Sequence, residues 1–364
     1  MREYTNVTVT KTTDPSLPSF DNTRLVAINT CPTDGILRYT LNKRMSYGGR
    51  AMALEAGGAA HEVFAAHRLY HIREHGVGAY GLEPSRADEI FQSTGRKLFG
   101  TERFATMVGA INPDEDARTQ RVAFSLTALY TGGFYDDPTD KKRTVTNIEE
   151  LCIAYMDRFD WADELPIILN DGEFVGIEVP IDVTLEYTLN DGSIERYRFI
   201  GRADGLHWKD ASRSSLRIHE NKTASRLGDA WEASHTMSHQ HTGYMIGLSA
   251  ILGREIRNGL VLGTALPLPR AYNLNGISRV PVSRQDFEVI DWFDWFLHTV
   301  HLHERYKNEP TNAPHYTHSC NRYFRPCAFI PFCASPPEDR VGMIEEMHTE
   351  VWSPLHETGE PTDE

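Results

Sequence analysis

Lysine is scarce in this chain, eight in 364 residues, yet one stands two residues after a glutamate in "LRIHENKT". Side chains two apart on a strand share a face, so Glu220 and Lys222 point the same way. Asp204 lies sixteen residues earlier, read here as the end of the preceding strand region "IERYRFIGRADGLHW". Adjacent antiparallel strands would bring the two carboxylates to one sheet edge. Asn221 faces the other way, with its backbone carbonyl still available at the site. Two hard oxygen ligands suit Mg²⁺ or Mn²⁺, and an ammonium beside them suits phosphodiester hydrolysis. The cation would acidify a bound water and neutralise the phosphate, while Lys222 orients or deprotonates the nucleophile. The tripeptide alone carries little information. Asp140-Lys141-Lys142 fits the same pattern inside the turn "DDPTDKKRT", and a strand-edge ion pair is the bland alternative for Glu220 and Lys222.

Two further places in the chain add context. Gln240 and Tyr244 are four apart in the helical "SHQHTGYMIGLSAILG", one turn apart on one face. An amide and a phenol there can bond a phosphate or stack on a base, or simply belong to an amphipathic helix. His61 follows two glycines in "EAGGAAHEVF". Its imidazole would complete a divalent shell and tilt preference toward Mn²⁺, unless it is a plain helix-surface histidine. A zinc-protease reading of "HEVFAAH" fails, because His61 and His67 are six apart and lie on different helix faces.

Cys320, Cys327 and Cys333 are spaced C-x6-C-x5-C. Three thiolates need a fourth ligand, and Cys31, 289 residues before Cys320, is the candidate. Cys152 sits in the helical core pattern "NIEELCIAYMDRF" and reads as a buried, inert thiol. Thiolates select zinc or an iron–sulfur cluster, and the lack of a C-x2-C pair favours the cluster. Tyr323, Phe324, Pro326, Phe329, Pro331 and Phe332 would keep water away. Closing so long a loop would constrain the unfolded chain by roughly 5–6 kcal/mol in the cross-link model.

Strands in the middle of the chain must position these groups. Residues 1–22 read as a polar lead-in, and "LVAINTCPTDGILRYTL" as one short helical segment. "AAHEVFAAHRLYHIREH" has helical spacing, and residues 76–165 read as a helical insertion or subdomain. From residue 170 the texture becomes β-branched and aromatic, and "NDGS" marks a hairpin. Residues 227–253 read as helix ending at Gly253, "RNGLVLGTAL" as a strand, and "SRQDFEVIDWFDWFLHTVHLHERYKN" as a serine-capped amphipathic helix. The expected class is α/β, a central sheet flanked by helices, within a single domain over 1–337. Residues 315–335 form the cysteine segment. An acidic tail, 338–364, is expected to be mostly disordered, with a short helix at Met343–Trp352.

The net charge is −14, and the tail supplies −8 of it. That disfavours a broad basic DNA-coating surface but leaves room for a local groove. Arg202, Arg217 and Arg226 lie near the motif and would meet phosphates or stay solvated. An odd cysteine count argues against a disulfide framework. No apolar run reaches membrane-helix length, and "MREYTNVTVT" lacks a signal-peptide pattern. The expected location is the cytoplasm.

Taken in order over residues 25–335, these features resemble the RecB-type nucleases of the PD-(D/E)xK superfamily. They are a Cys-Pro near the start, a Gly-preceded helical His, Asp then Glu-x-Lys, Gln-x-x-x-Tyr and three late cysteines. The match is to the iron–sulfur branch that includes AddB and the CRISPR-associated exonucleases. The resemblance implies a restriction-endonuclease-like mixed sheet and a metal-dependent DNA exonuclease. It implies that His61, Asp204, Glu220 and the Asn221 carbonyl hold Mg²⁺ or Mn²⁺, with Lys222 as catalytic lysine. Gln240, Tyr244 and Arg202 would contact DNA, and Glu178 would be a supporting acid. Cys31, Cys320, Cys327 and Cys333 would hold a [4Fe–4S] cluster. The family often ends in C-x2-C-x5-C, where this chain has a first gap of six. No G-x-x-x-x-G-K-[ST] motif is present, so a stand-alone nuclease is expected, with a recombination or helicase partner protein. The alternatives are a DNA-end binding scaffold that keeps the fold and cluster, and a zinc-stapled protein with an unrelated hydrolase site.

Overall fold

The computed structural model describes residues 2–45, 52–159, 164–210, 213–269, 276–322 and 325–350. The protein is a mixed α/β structure with a mixed central sheet flanked by helices. The strands are β1 (Tyr4–Lys11), β2 (Ser19–Phe20), β3 (Lys43–Arg44), β4 (Ile168–Leu169), β5 (Phe174–Val175), β6 (Ile177–Leu189), β7 (Ile194–Trp208), β8 (Leu216–Ala224), β9 (Asn258–Ala265), β10 (Ile277–Ser283), β11 (Asn321–Arg322), β12 (Arg325–Pro326) and β13 (His348–Thr349). The sheet runs β1-β6-β7-β8-β9-β10, with β2 also pairing β7. Pairs β6/β7, β7/β8 and β9/β10 are antiparallel, while β8/β9 is parallel. The parallel pair requires a crossover, supplied by two helices, α8 (Asp229–Thr236) and α9 (His239–Leu252).

Alternation in β6 decides which side of it is buried. Ile177, Val179, Ile181, Val183, Leu185 and Tyr187 are all buried. The hairpin to β7 forms at the expected turn, where Gly192 takes φ +87° and Asp191 accepts from the Ser193 amide at 2.9 Å. Leu248 of α9 and Trp292 and Phe296 of α10 (Asp286–Tyr306) pack with the buried side chains of β6 and β7. A second core joins β9, through Leu260 and Leu262, to α3 (Met52–Tyr80) and α7 (Val145–Arg158). Helices α4 (Pro84–Phe99), α5 (Thr101–Gly109) and α6 (Ala117–Thr131) pack around α3 through Phe91, Phe104 and Phe124. The helical stretch 76–165 therefore shares α3 with the sheet.

Several expectations are corrected. Residues 4–11 form an edge strand on β6, because Val7 and Val9 pack on the core from an otherwise polar segment. The first helical segment is two helices, α1 (Asn22–Thr30) and α2 (Pro32–Tyr39). They break at Cys31, where the following proline cannot continue α1. Residues 227–253 are two helices broken at Met237–Ser238. Helix α10 is capped by Gln285 with Glu288 reaching back, not by a serine. Two more helices follow, α11 (Ile330–Ala334) and α12 (Pro337–Glu346). The acidic tail thus begins in helix, which ends at Glu346 instead of spanning Met343–Trp352. Residues 351–364 lie outside the described residues.

Candidate metal centre and cysteine cluster

Asp204 lies within β7 rather than at its end. Its neighbours Ala203 and Gly205 pair with Val179 and Ile177, which sets Glu178 of β6 opposite Asp204. On the other side Gly205 pairs with His219, so Glu220 stands one step beyond, again opposite Asp204. Three carboxylates therefore form a row across three adjacent strands. Glu178 has φ +47°, a left-handed conformation rarely adopted by an L residue. Such strain costs on the order of 1 kcal/mol or more and concentrates at functional sites.

Helix α3 crosses this row and contributes two side chains two turns apart. The His61 Nδ1 lies 3.3 Å from Asp204 Oδ1. Arg68, fully buried, pairs with Glu164 at 2.9 Å, donates to the Asp204 carbonyl at 3.0 Å and donates to the Asn221 side chain. Gly57 lets α3 approach β8, since a Cβ there would lie 3.0 Å from Thr223 Oγ1. The Asn221 amide donates to Asp204 Oδ2 at 2.6 Å, and its side chain donates to Tyr155 Oη at 3.0 Å. Asn221 thus turns its side chain away from Glu220 and Lys222, as strand alternation dictates.

Lys222 Nζ donates to Glu220 Oε2 at 3.0 Å. Gln240 Nε2 lies 3.3 Å from the same oxygen and 3.2 Å from Tyr244 Oη. The fold thus joins Gln240 and Tyr244 to Glu220. Gly201 makes room for the Tyr244 ring, which a Cβ there would meet at 2.6 Å. Glu220 Oε1 and Glu178 Oε1 are buried and have no hydrogen-bond partner. Buried carboxylate oxygens left this way are costly, and a divalent cation is the ligand such hard donors fit.

Electrostatics point the same way. Burial, then the charge of Asp204, pushes Glu178 up to about 8. The same two causes push Glu220 up to about 7, against Lys222. Burial acts upward on Asp204 too, but His61, Lys222 and Arg68 overcome it and hold that carboxyl well below its usual range. His61 is raised: burial opposes its charge, and Asp204 more than compensates. Lys222 is likewise raised, its burial outweighed by Glu220 and Asp204. Burial and the Asp204 charge thus disfavour ionised Glu178 and Glu220 until a further cation joins them.

A cavity of about 660 Å³ opens beside Glu178. Arg202, two residues before Asp204 on β7, lines it with Lys11 of β1, Lys97 of α4 and Phe174. Arg217 sits at the start of β8, and Arg226 is exposed in the loop beyond it.

Near the termini, Thr33 of α2 donates through its hydroxyl to the Ala313 carbonyl at 2.9 Å. Leu37 packs with Phe329, Phe332 and Met347, against which Cys327 and Cys333 also lie. The Cys327 amide donates to the Cys320 carbonyl at 2.8 Å. Burial, then the thiols of Cys31, Cys327 and Cys320, pushes the Cys333 thiol up to about 11. The four cysteines are therefore electrostatic neighbours, and such a soft donor set fits a zinc ion or an iron–sulfur cluster. Arg340 donates to the Cys333 carbonyl at 3.0 Å and offsets part of that charge. Cys152 is fully buried in the α7 core, and burial raises its thiol. Tyr323 and Phe324 lie outside the described residues.

Arg68, Glu164 and Tyr155 escaped the sequence reading. Arg68 stands seven residues after His61, hence on the same face of α3, and that spacing was the available signal. Glu164 and Tyr155 join it only through tertiary packing.

Fold and site together define a mixed α/β protein with an acidic centre on three strands and four neighbouring cysteines contributed from near its two ends. No family model matches this chain, and no curated protein matches it. Among the described residues no helix is long and apolar enough to cross a membrane.

Proposed function

We propose that the chain is a metal-dependent deoxyribonuclease with a restriction-endonuclease-like core, acting on DNA ends. The observation that carries this reading is the row Glu178, Asp204 and Glu220 with Lys222 at 3.0 Å from Glu220. Two buried carboxylate oxygens of that row lack any partner. Asp204 and Glu220, with His61 and the Asn221 carbonyl, would hold Mg²⁺ or Mn²⁺. When bound, the cation supplies an acidified water and offsets charge on the phosphate.

The remaining work falls to side chains. Lys222, half-buried beside the row and held in its charged form by Glu220 and Asp204, orients the nucleophile and offsets charge on the phosphate. Gln240 and Tyr244 steady Glu220 and reach toward the phosphate. Arg68 fixes the Asp204 backbone and Asn221, so the ligands move little when the ion enters. Lys11, Lys97 and Arg202 line the adjoining cavity and would meet phosphates there.

Cys31, Cys320, Cys327 and Cys333 would hold a [4Fe–4S] cluster, which acts as a brace between the chain ends. Arg340 and the Phe329 and Phe332 rings fit around so charged a group. The expected setting is recombination or repair in the cytoplasm, with a helicase or recombination protein as partner.

The deciding experiment incubates purified protein with 5′- and 3′-end-labelled linear DNA and Mg²⁺ or Mn²⁺. Cleavage that disappears in Glu220→Gln and Lys222→Ala supports the assignment. Retained cleavage in either variant removes it, and binding without cleavage in the wild type turns it into a DNA-end scaffold.

A further inference from the structure

Helix α3 carries a second constellation, away from the row of acids. His71, Glu74 and His75 follow the spacing His-x-x-Glu-His, which puts two imidazoles one helical turn apart with a carboxylate beside them. Their ligand atoms all lie within 4.8 Å of one another, the one group of three such donors this tight among the described residues. His71 Nδ1 is 3.9 Å from Glu74 Oε2, and His75 Nε2 is 3.5 Å from that oxygen. Ten residues separate His61 from His71, about 15 Å along a helix at 1.5 Å per residue. The group is therefore distinct from the candidate catalytic centre.

A second, independent observation points to a ligand. His71 is 1% exposed, and its Nδ1 has no hydrogen-bond partner. Its other nitrogen, Nε2, lies 3.1 Å from His67 Nε2. With His71 donating through Nε2, the Nδ1 lone pair faces Glu74 and His75. Metal-binding imidazoles are commonly fixed in this way by a hydrogen bond from the far nitrogen. Glu74 and His75 are partly exposed, which leaves an entry path.

We propose that His71, Glu74 and His75 form a structural zinc site on α3, beside the Arg121–Glu74 ion pair that joins α3 to α6. Two imidazole nitrogens and one carboxylate oxygen suit a borderline divalent ion. Zinc bonds of about 2.0–2.1 Å require donor–donor edges of about 3.4 Å in a tetrahedron, so a small contraction closes the site. Arg121 of α6 sits 2.9 Å from Glu74 Oε2. That is the same oxygen that lies beside both imidazoles, so a turn of the carboxylate brings Oε1 to the ion while Oε2 keeps the arginine. With one oxygen on the ion and the other on the arginine, Glu74 has no oxygen left to take a proton from water, which argues for a structural role over a hydrolytic one. Water fills the fourth position.

The test measures Zn²⁺ bound per chain in paired preparations of wild type, His75→Gln and Glu74→Gln, in excess Mg²⁺. Comparison between variants cancels zinc held by the cysteines. The wild type is expected to hold one more equivalent than either variant, with affinity for it reduced at least about tenfold by either change. Added Zn²⁺ should raise the melting temperature of the wild type more than that of either variant. Glu74→Gln decides if His75→Gln does not fold. Equal zinc in wild type and a folded variant overturns the site, as does loss of the extra equivalent in His61→Gln instead.

Discussion

Glu220 and Lys222 lie on one face of β8 with their charged ends 3.0 Å apart, and Gln240 holds the same glutamate oxygen from α9 at 3.3 Å. The lysine is thus tethered where a nucleophile on the row of acids would need it. Replacing Lys222 by alanine, or Glu220 by glutamine, should lower metal-dependent cleavage of end-labelled DNA by about 10²-fold or more, the usual range for a lost acid–base group. Single-turnover rates with saturating Mn²⁺ check this, because saturation separates chemistry from metal affinity.

Binding of a divalent cation should be proton-linked. Glu220 and Glu178 are raised to about 7 and about 8 in the folded protein, above their ordinary 4.5. Between those values the metal-free fold holds more protons than the unfolded chain, so its stability falls as pH rises through that window. Asp204 has the opposite sign: its depressed carboxyl stabilises above its ordinary pKa, and that contribution is lost on acidification. A metal ion displaces the extra protons, so Mg²⁺ affinity should rise between about pH 6 and pH 8.5. Melting temperatures with and without Mg²⁺ at both pH values test this, and Glu220→Gln should flatten the dependence.

Arg68 and Glu164 form an ion pair with both side chains fully buried. Arg68→Ala leaves the Glu164 charge and the Asp204 carbonyl without their donor. Breaking one side of a buried pair typically costs about 3–5 kcal/mol. Urea unfolding should show a loss in that range, and a loss under about 1 kcal/mol would mean the clamp is dispensable.

The cysteine group should separate into four functional thiols and one inert one. Cys320→Ser or Cys31→Ser should lose bound iron and lower the melting temperature, whereas Cys152→Ser should keep its iron. Iron, sulfide and zinc analysis of the same samples reads the outcome. Stoichiometric zinc in a colourless wild type would replace the cluster with a zinc staple.

The cavity beside Glu178 offers a separate handle. Lys97→Glu in α4 should raise KM for DNA several-fold and leave kcat nearly unchanged, because it alters phosphate contacts away from the reacting atoms. An equal fall in kcat and kcat/KM would place Lys97 closer to the chemistry.

Period-two alternation made β6 and β8 readable from residues alone, and with them the shared face of Glu220 and Lys222. The turn at Asn190–Ser193 was equally legible, since Gly192 supplies the positive φ such a hairpin needs. Local pattern misplaced Asp204 at a strand end, because the glycines and charges of Gly201–Gly205 look like turn punctuation, whereas the strand runs on, buried, through Trp208. It also missed β1, whose polar residues are held by pairing with β6. The row Glu178–Asp204–Glu220 depends on register between strands, a property no single strand encodes. Arg68 acquired its role only when α3 crossed β7 and β8, where burial of a guanidinium demands Glu164, the Asp204 carbonyl and Asn221 together. Side-chain type and spacing along the chain are local and were set by the sequence. Which charges meet, and which are stripped of water, is decided by packing between segments far apart in it.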